Sequence, residues 1–395
     1  MAPEEKPYRV YRGGRTKGKV PTSAKSGRAQ RERAAAGGGA GDGGAGVAEY
    51  RGPGAKPRKP NWRRRILLGV AALLVLFVVW GVTSYLQFSS GVADANKRLP
   101  TDVRSALSKQ GGLLLSHSTT ILLLGTDNSD LASRAGDRHS DSIVLLRTDP
   151  SHHRLYYLSI PRDLEVPIPG VGTTKINAAM QAGGPAPAIR TIRAFTGVPV
   201  DHVVVVNFGQ FKDLIDALGG VTIDVPKPIL SDKFDCPYTA TKCESWKGWR
   251  FAKGNQHMSG ERALIYSRVR VNQLDPSESD ITREARQQAV LQAVMSKMTS
   301  PGTMVGLPFH GSKLVKPLST DLTASQLLQL GWVKFRSSNG SSVHCRLGGD
   351  FGAGGNGSPS EDNRGTIAMF LGSAPQPPPP GEPFAPGCET GHTLQ

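Results

Sequence analysis

The longest apolar run of the chain is Ile66–Leu86, 21 residues without a charge. As a helix it would extend about 31 Å, enough to cross a hydrocarbon core of ~30 Å. A cleavable signal peptide would need a shorter core near the N-terminus and a small-residue cleavage site. Some sixty residues precede this run, so an uncleaved anchor is expected over residues 62–86. Residues 87–116 read as a connector, with a polar helical stretch around Val92 to Lys109. From Thr119 the pattern becomes short runs of branched residues: "TTILLLG", "SIVLLRT", "RLYYLSI" and "HVVVVNF". Such nearly continuous apolar runs suit strands covered on both faces.

Helical patterns lie between and after these runs. They are "INAAMQAGG…AIRTIRAFTG", "FGQFKDLIDALGG" with a Gly pair suited to a C-cap, "SGERALIYSR", "ITREARQQAVLQAVMSKM" and "TASQLLQLGWVKF". Strands alternating with helices predict an α/β fold, a mixed central sheet sandwiched by helices. One domain over residues 117–373 accommodates it, with no internal repeats. Residues 374–395, opening with "APQPPPPGEPFAPG", read as an extended proline-rich tail. Residues 1–61 are rich in Gly, Ala, Lys and Arg and poor in large apolar residues, the composition of a disordered tail.

Charge then assigns a direction. Through Arg65 the chain carries 17 Lys and Arg against 5 Asp and Glu, so twelve of its sixteen net positive charges lie there and +4 remains beyond. Arg63, Arg64 and Arg65 abut the apolar run on its N-terminal side, the cytoplasmic signature. The expectation is a single-pass cell-membrane protein with its N-terminus cytoplasmic and its domain extracytoplasmic. The tail's charges suit anionic inner-leaflet lipid. Because the basic charge belongs to the tail, nucleic acid is not an expected partner of the folded part. The four cysteines, Cys236, Cys243, Cys345 and Cys388, all lie beyond the span, an even count that suggests two disulfides. Of three possible pairings, the short loop favours Cys236–Cys243, leaving Cys345–Cys388 to pin the C-terminal tail. The Cys-x6-Cys spacing does not match a zinc site.

The chemistry gathers at strand ends. Asp127 follows the first strand, Arg138 and Asp141 precede the second, and Arg162 and Asp163 follow the third. Lys175 and Asn177 stand at a helix start. Together they suggest a polar cleft at one edge of the sheet. In the helix that opens near Asp280, Arg283, Gln287, Val290 and Val294 form one stripe, flanked by Arg286 and Ala293. The stripe is basic at its start and apolar at its end, as though its first turns faced a cavity and its later turns the core. Arg268 and Arg270 add two cations upstream. Five arginines, Arg162, Arg268, Arg270, Arg283 and Arg286, without a matching block of carboxylates ask for an anionic ligand, and the guanidinium fork suits phosphate. Asp127 and Asp141 suit Mg²⁺ (or Mn²⁺), which takes one or two carboxylates plus substrate phosphates.

The motifs "LLLGTD", "HSDSIVLL", "SIPRDLEVPI", "KINAA", "DALGGVTIDV", "GERALIYSRVR" and "SDITREARQQ" resemble, in order, those of the LytR-CpsA-Psr family of wall-polymer ligases. The resemblance runs from about Thr119 to Ser300 and loosely to Ser373. It implies a membrane-anchored phosphotransferase that takes a glycopolymer from a polyprenyl diphosphate carrier and joins it to peptidoglycan through a phosphodiester. It carries Asp127 and Asp141 over as Mg²⁺ ligands, and Arg162, Arg268, Arg270, Arg283 and Gln287 as diphosphate contacts. The family usually has Arg two residues before the second metal Asp. Here His139 stands there and Arg138 one place further back, so either is open as the catalytic cation. Asp163 is open as general base or as the residue that orients Arg162. A lipid diphosphate hydrolase and a non-catalytic wall-associated regulator are the alternative functions.

Overall fold

The computed structural model describes residues 61–108, 112–126, 139–276, 280–351, 356–375 and 385–391. Seven strands form the central sheet: β1 (Thr120–Thr126), β2 (Ser140–Asp149), β3 (Arg154–Ser159), β4 (His202–Asn207), β5 (Ser319–Thr320), β6 (Val343–Arg346) and β7 (Gly387–Thr390). Their spatial order is β5-β4-β1-β2-β3-β6-β7. The sheet is mixed: β1 runs parallel to β4 and β3 to β6, and the other neighbours are antiparallel. The expected mixed sheet between helices is therefore the observed one.

Alternate residues of the apolar strands serve opposite faces, as the period of two requires. Leu122, Leu124, Ile143 and Leu145 share a core with Ile189 and Ile192 of α2 (Pro185–Thr196). Ile121, Val144 and Leu146 turn the other way, towards α5 (Asp280–Met298) and α7 (Ala324–Arg336), with Leu291, Met295, Leu330 and Val333 in the same cluster. A third core joins α3 (Phe208–Ala217), α4 (Gly260–Arg268), α5 and α6 (Pro301–Val315) to the C-terminal part of α1 (Trp62–Lys97). Local chemistry starts these helices where the sequence signals them. Asn207 and Gln210 form a capping box on α3, and Thr323 and Gln326 form one on α7. The expected Gly pair follows α3: Gly219 and Gly220 adopt φ of 74° and 86°, and their N–H groups close onto the Asp216 and Ile215 carbonyls.

Two expectations are modified. The anchor and the start of the connector are one uninterrupted helix of 36 residues, because no Gly-Pro break separates the apolar run from the amphipathic turns after it. Its residues through Leu86 are largely exposed, whereas Phe88, Val92 and Ala95 are buried in the domain. The domain boundary at Ser373 falls short, because β7 returns to pair with β6, Cys345 directly opposite Cys388. Four residues behind a proline run carry no periodic signal, and the partner strand lies far upstream. Both expected disulfides, Cys236–Cys243 and Cys345–Cys388, are present. The N-terminal tail through residue 60 lies outside the described residues.

Candidate functional site

The carboxyl ends of β1, β3 and β4 and the amino end of β2 meet at one edge of the sheet. Thr126 pairs with both Ser140 and Asn207, and the Ile160 N–H donates to the Ile143 carbonyl at 3.0 Å. This edge carries the polar residues. Arg162 leaves β3 and donates to Asp141 at the start of β2, and its Nε donates to Asp163 Oδ2 at 3.3 Å. Lys175 Nζ donates to Asp163 Oδ1 at 3.0 Å. Lys175 arrives on a hairpin, Glu165–Ile168 with Gly172–Lys175, which places it opposite Glu165. The Asn177 N–H donates to the Arg162 carbonyl at 3.2 Å, so Asn177 holds the backbone that presents the guanidinium.

Asp163 thus faces a cation on each oxygen. Burial pushes its carboxyl up, but the Lys175 ammonium and the Arg162 guanidinium outweigh burial and hold it below the ordinary carboxylate range. A carboxylate so stabilised as the anion is a weak proton acceptor. The geometry favours its orienting Arg162 over its acting as general base.

Behind Asp141 lies a chamber of about 280 Å³ between the sheet and the helices. Its mouth is lined by Asp141, Arg268, Arg270, Arg283 and Gln287. Its interior is apolar, with Leu123, Val144, Leu146, Val204 and Val206 from the sheet and Val290, Leu291, Val294, Met295 and Met298 from α5. The expected stripe of Arg283, Gln287, Val290 and Val294 is thus a wall of this chamber, basic at the mouth and apolar inside. Arg283 is 5% exposed, and Arg270 is exposed at the rim.

Arg268 is held by partners from remote segments. It is ion-paired with Asp235, and its guanidinium stands over the Phe208 ring at 4.9 Å and the Phe234 ring at 5.4 Å. Phe234 and Asp235 stand immediately before the loop closed by Cys236–Cys243, and no local pattern pointed to them.

Arg286 is not among the residues that line the chamber. It was grouped with the diphosphate cations, but it is buried and donates to the Val269 carbonyl at 2.8 Å. Its contribution is to fix the turn that carries Arg268 and Arg270. Three residues along a helix leave two side chains about 60° apart around the axis, so they adjoin without having to share a target. Deeper in, Gln288 donates to Ser159 Oγ at 2.6 Å and contacts His344 Nδ1 at 2.9 Å, while His344 stacks on Tyr157 at 4.7 Å. This buried network ties α5 to β3 and β6. Asp127 and Arg138 lie outside the described residues; His139 and Asp141 lie within them.

This geometry has relatives. The sequence profile of the LytR_cpsA_psr family matches residues 82–345. The chain belongs to that family. It is 30% identical over 277 residues to the polyisoprenyl-teichoic acid–peptidoglycan teichoic acid transferase TagU of Bacillus cereus, covering 68% of this chain and 83% of that one. Among solved structures it is similar to TagV of B. subtilis, at a TM-score of 0.51 and 26% identity over 66% of this chain and 99% of that one. It is likewise similar to a TagT bound to LI-WTA, at a TM-score of 0.51 and 26% identity over 69% of this chain and 97% of that one.

Proposed function

We propose that this member of the LytR_cpsA_psr family transfers a glycopolymer from a polyprenyl diphosphate carrier to peptidoglycan, forming a phosphodiester. The observation that carries this reading is the chamber: a cationic mouth opening on an apolar interior matches a diphosphate with a prenyl chain. The resemblance to teichoic acid–peptidoglycan transferases supports the donor and acceptor classes. The acceptor's sugar hydroxyl attacks the sugar-side phosphorus. A P–O bond forms to the acceptor, the bridging P–O bond breaks with its electron pair leaving on polyprenyl phosphate, and the hydroxyl's proton departs to that phosphate or to water.

In this reading Arg162, Arg268, Arg270 and Arg283 bind the diphosphate and neutralise charge that grows on the leaving phosphate. Gln287 donates to a phosphate oxygen. Asp163, Lys175 and Asn177 keep Arg162 in place before substrate arrives. Asp141 offers hard carboxylate oxygens beside the cations, donor chemistry that suits Mg²⁺, and Asp127 would complete the pair. When bound, the metal supplies further neutralisation of the phosphates. The α1 helix is long and apolar enough to cross a membrane. We read it as the anchor, with Arg63–Arg65 inside and the domain outside, at the surface where lipid-linked donor and peptidoglycan meet.

The test is reconstitution of the full chain in lipid with a prenyl diphosphate glycan and peptidoglycan, with and without Mg²⁺. Covalent attachment of glycan through a phosphodiester is expected. Release of free glycan phosphate with no attachment would identify a hydrolase, and no turnover with intact binding would identify a non-catalytic regulator.

A further inference from the structure

The α6 helix lies against the part of α1 that is long and apolar enough to span a bilayer. Trp80 Nε1 donates to the Val305 carbonyl at 3.1 Å. Leu76, Val79, Trp80 and Thr83 share one groove with Pro308 and Phe309. Further along, a Cβ on Gly311 would meet Phe88, and one on Gly91 would meet Ser312 at 2.6 Å. The contacts advance together along both helices, so α6 runs parallel to α1.

The outward face of α6 changes character along its length. Val305 is 67% exposed and Phe309 77% exposed, one turn apart. The same face continues with exposed Lys313 and Lys316. Its opposite face, Leu307, Leu314 and Val315, packs in one core with Val290 and Val294 of the chamber wall. Met298 and Leu318, which also line the chamber, stand three residues from either end of α6.

We propose that α6 is sunk edge-on into the leaflet next to the domain, with Val305 and Phe309 among the acyl chains and Lys313 and Lys316 at the headgroups. The inference rests on the reading that α1 crosses the bilayer. With the span ending at Leu86, Trp80 lies about 9 Å inside that boundary at 1.5 Å per residue. Val305, bonded to Trp80, lies at the same depth. On the same rise Phe309 is about 3 Å inside and Lys313 about 3 Å outside. The apolar-to-basic switch on α6 therefore falls where the boundary set by α1 puts it, and the two helices give this independently. Lysine ammoniums at that level suit anionic headgroups while their stems reach down along apolar surface. The occupant of the exposed patch is the bilayer, since the α1 surface continuous with it is already lipid-facing.

The experiment is quenching of single labels on the full chain in liposomes containing anionic lipid. Each of Phe309→Cys, Val305→Cys, Val75→Cys and Lys253→Cys is labelled with one fluorophore, the native cysteines remaining in their disulfides. Quenching by lipid-borne nitroxides and by aqueous iodide is compared. The expected result is that positions 305, 309 and 75 are quenched several-fold more by lipid nitroxide than position 253, and are protected from iodide. Iodide quenching at 305 and 309 equal to that at 253, with 75 protected, would overturn the seating of α6 and leave the anchor standing. Iodide access at 75 as well would overturn both.

Discussion

Arg283 and Arg286 stand three residues apart on one helix, and both are 5% exposed, yet their truncation should fail in different ways. Arg283 lines the mouth of the chamber with Asp141, Arg268 and Arg270. If it grips the diphosphate, Arg283→Ala removes one donor from developing charge, which typically costs ~10²–10³ in rate, about 3–4 kcal/mol. Lysine should restore little, because a point charge does not replace a bidentate fork. Arg286 instead donates to the Val269 carbonyl. Truncating it withdraws that donor from a buried carbonyl, which typically costs about 1–3 kcal/mol. For a domain approaching this size each kcal/mol moves the melting midpoint by ~2–4 °C. Arg286→Ala should therefore melt several degrees lower. Its folded fraction should lose less transfer than that of Arg283→Ala. The assay is glycan transfer per folded molecule beside thermal unfolding of the same preparations. Wild-type transfer by Arg283→Ala, or a null Arg286→Ala with an unchanged melting midpoint, would refute the assignment of the two arginines.

Four further outcomes follow from the same contacts. Because Asp163 binds protons less readily folded than unfolded, its contribution to stability is present above its ordinary value of 3.8 and is lost as pH falls through the depressed folded value. Asp163→Asn should thus lower the melting midpoint at pH 7 and shrink that difference in strong acid, measured by unfolding across pH. Asp141→Ala should abolish Mg²⁺ stimulation of transfer while donor lipid still binds, followed by metal titration with a lipid-binding readout. Chain entropy predicts about 4 kcal/mol from closing the 43-residue separation of Cys345–Cys388 and about 2.4 kcal/mol from the 7-residue separation of Cys236–Cys243. Paired Ser substitutions at the first should accordingly lower the denaturation midpoint more than at the second. Protease added to intact cells should cut the domain and spare the N-terminal tail, and the reverse pattern on immunoblots would invert the topology.

Much of this protein is decided locally and can be read from the chain. That Ile66–Leu86 is long and apolar enough to cross a membrane follows from length and lack of charge alone, because the hydrocarbon core sets a fixed thickness. The four long strands follow from branched runs that can be buried on both faces, and the helix starts follow from Asn207–Gln210 and Thr323–Gln326 capping chemistry. The stripe from Arg283 to Val294 announced a helix basic at one end and apolar at the other, because helical periodicity is a property of the sequence itself. The tertiary structure alone decided which partners those residues meet. Asp235 reaches Arg268 across 33 positions and β7 joins β6 across a proline run, since pairing between remote segments leaves no local pattern. Arg286 was legible as a cation but not as a backbone clamp, since its target depends on where Val269 has been folded. Helix α6, with Gly and Pro through its length, has little intrinsic helical preference. It exists because α1 and the chamber wall provide its two packing faces, a condition that only the assembled fold supplies.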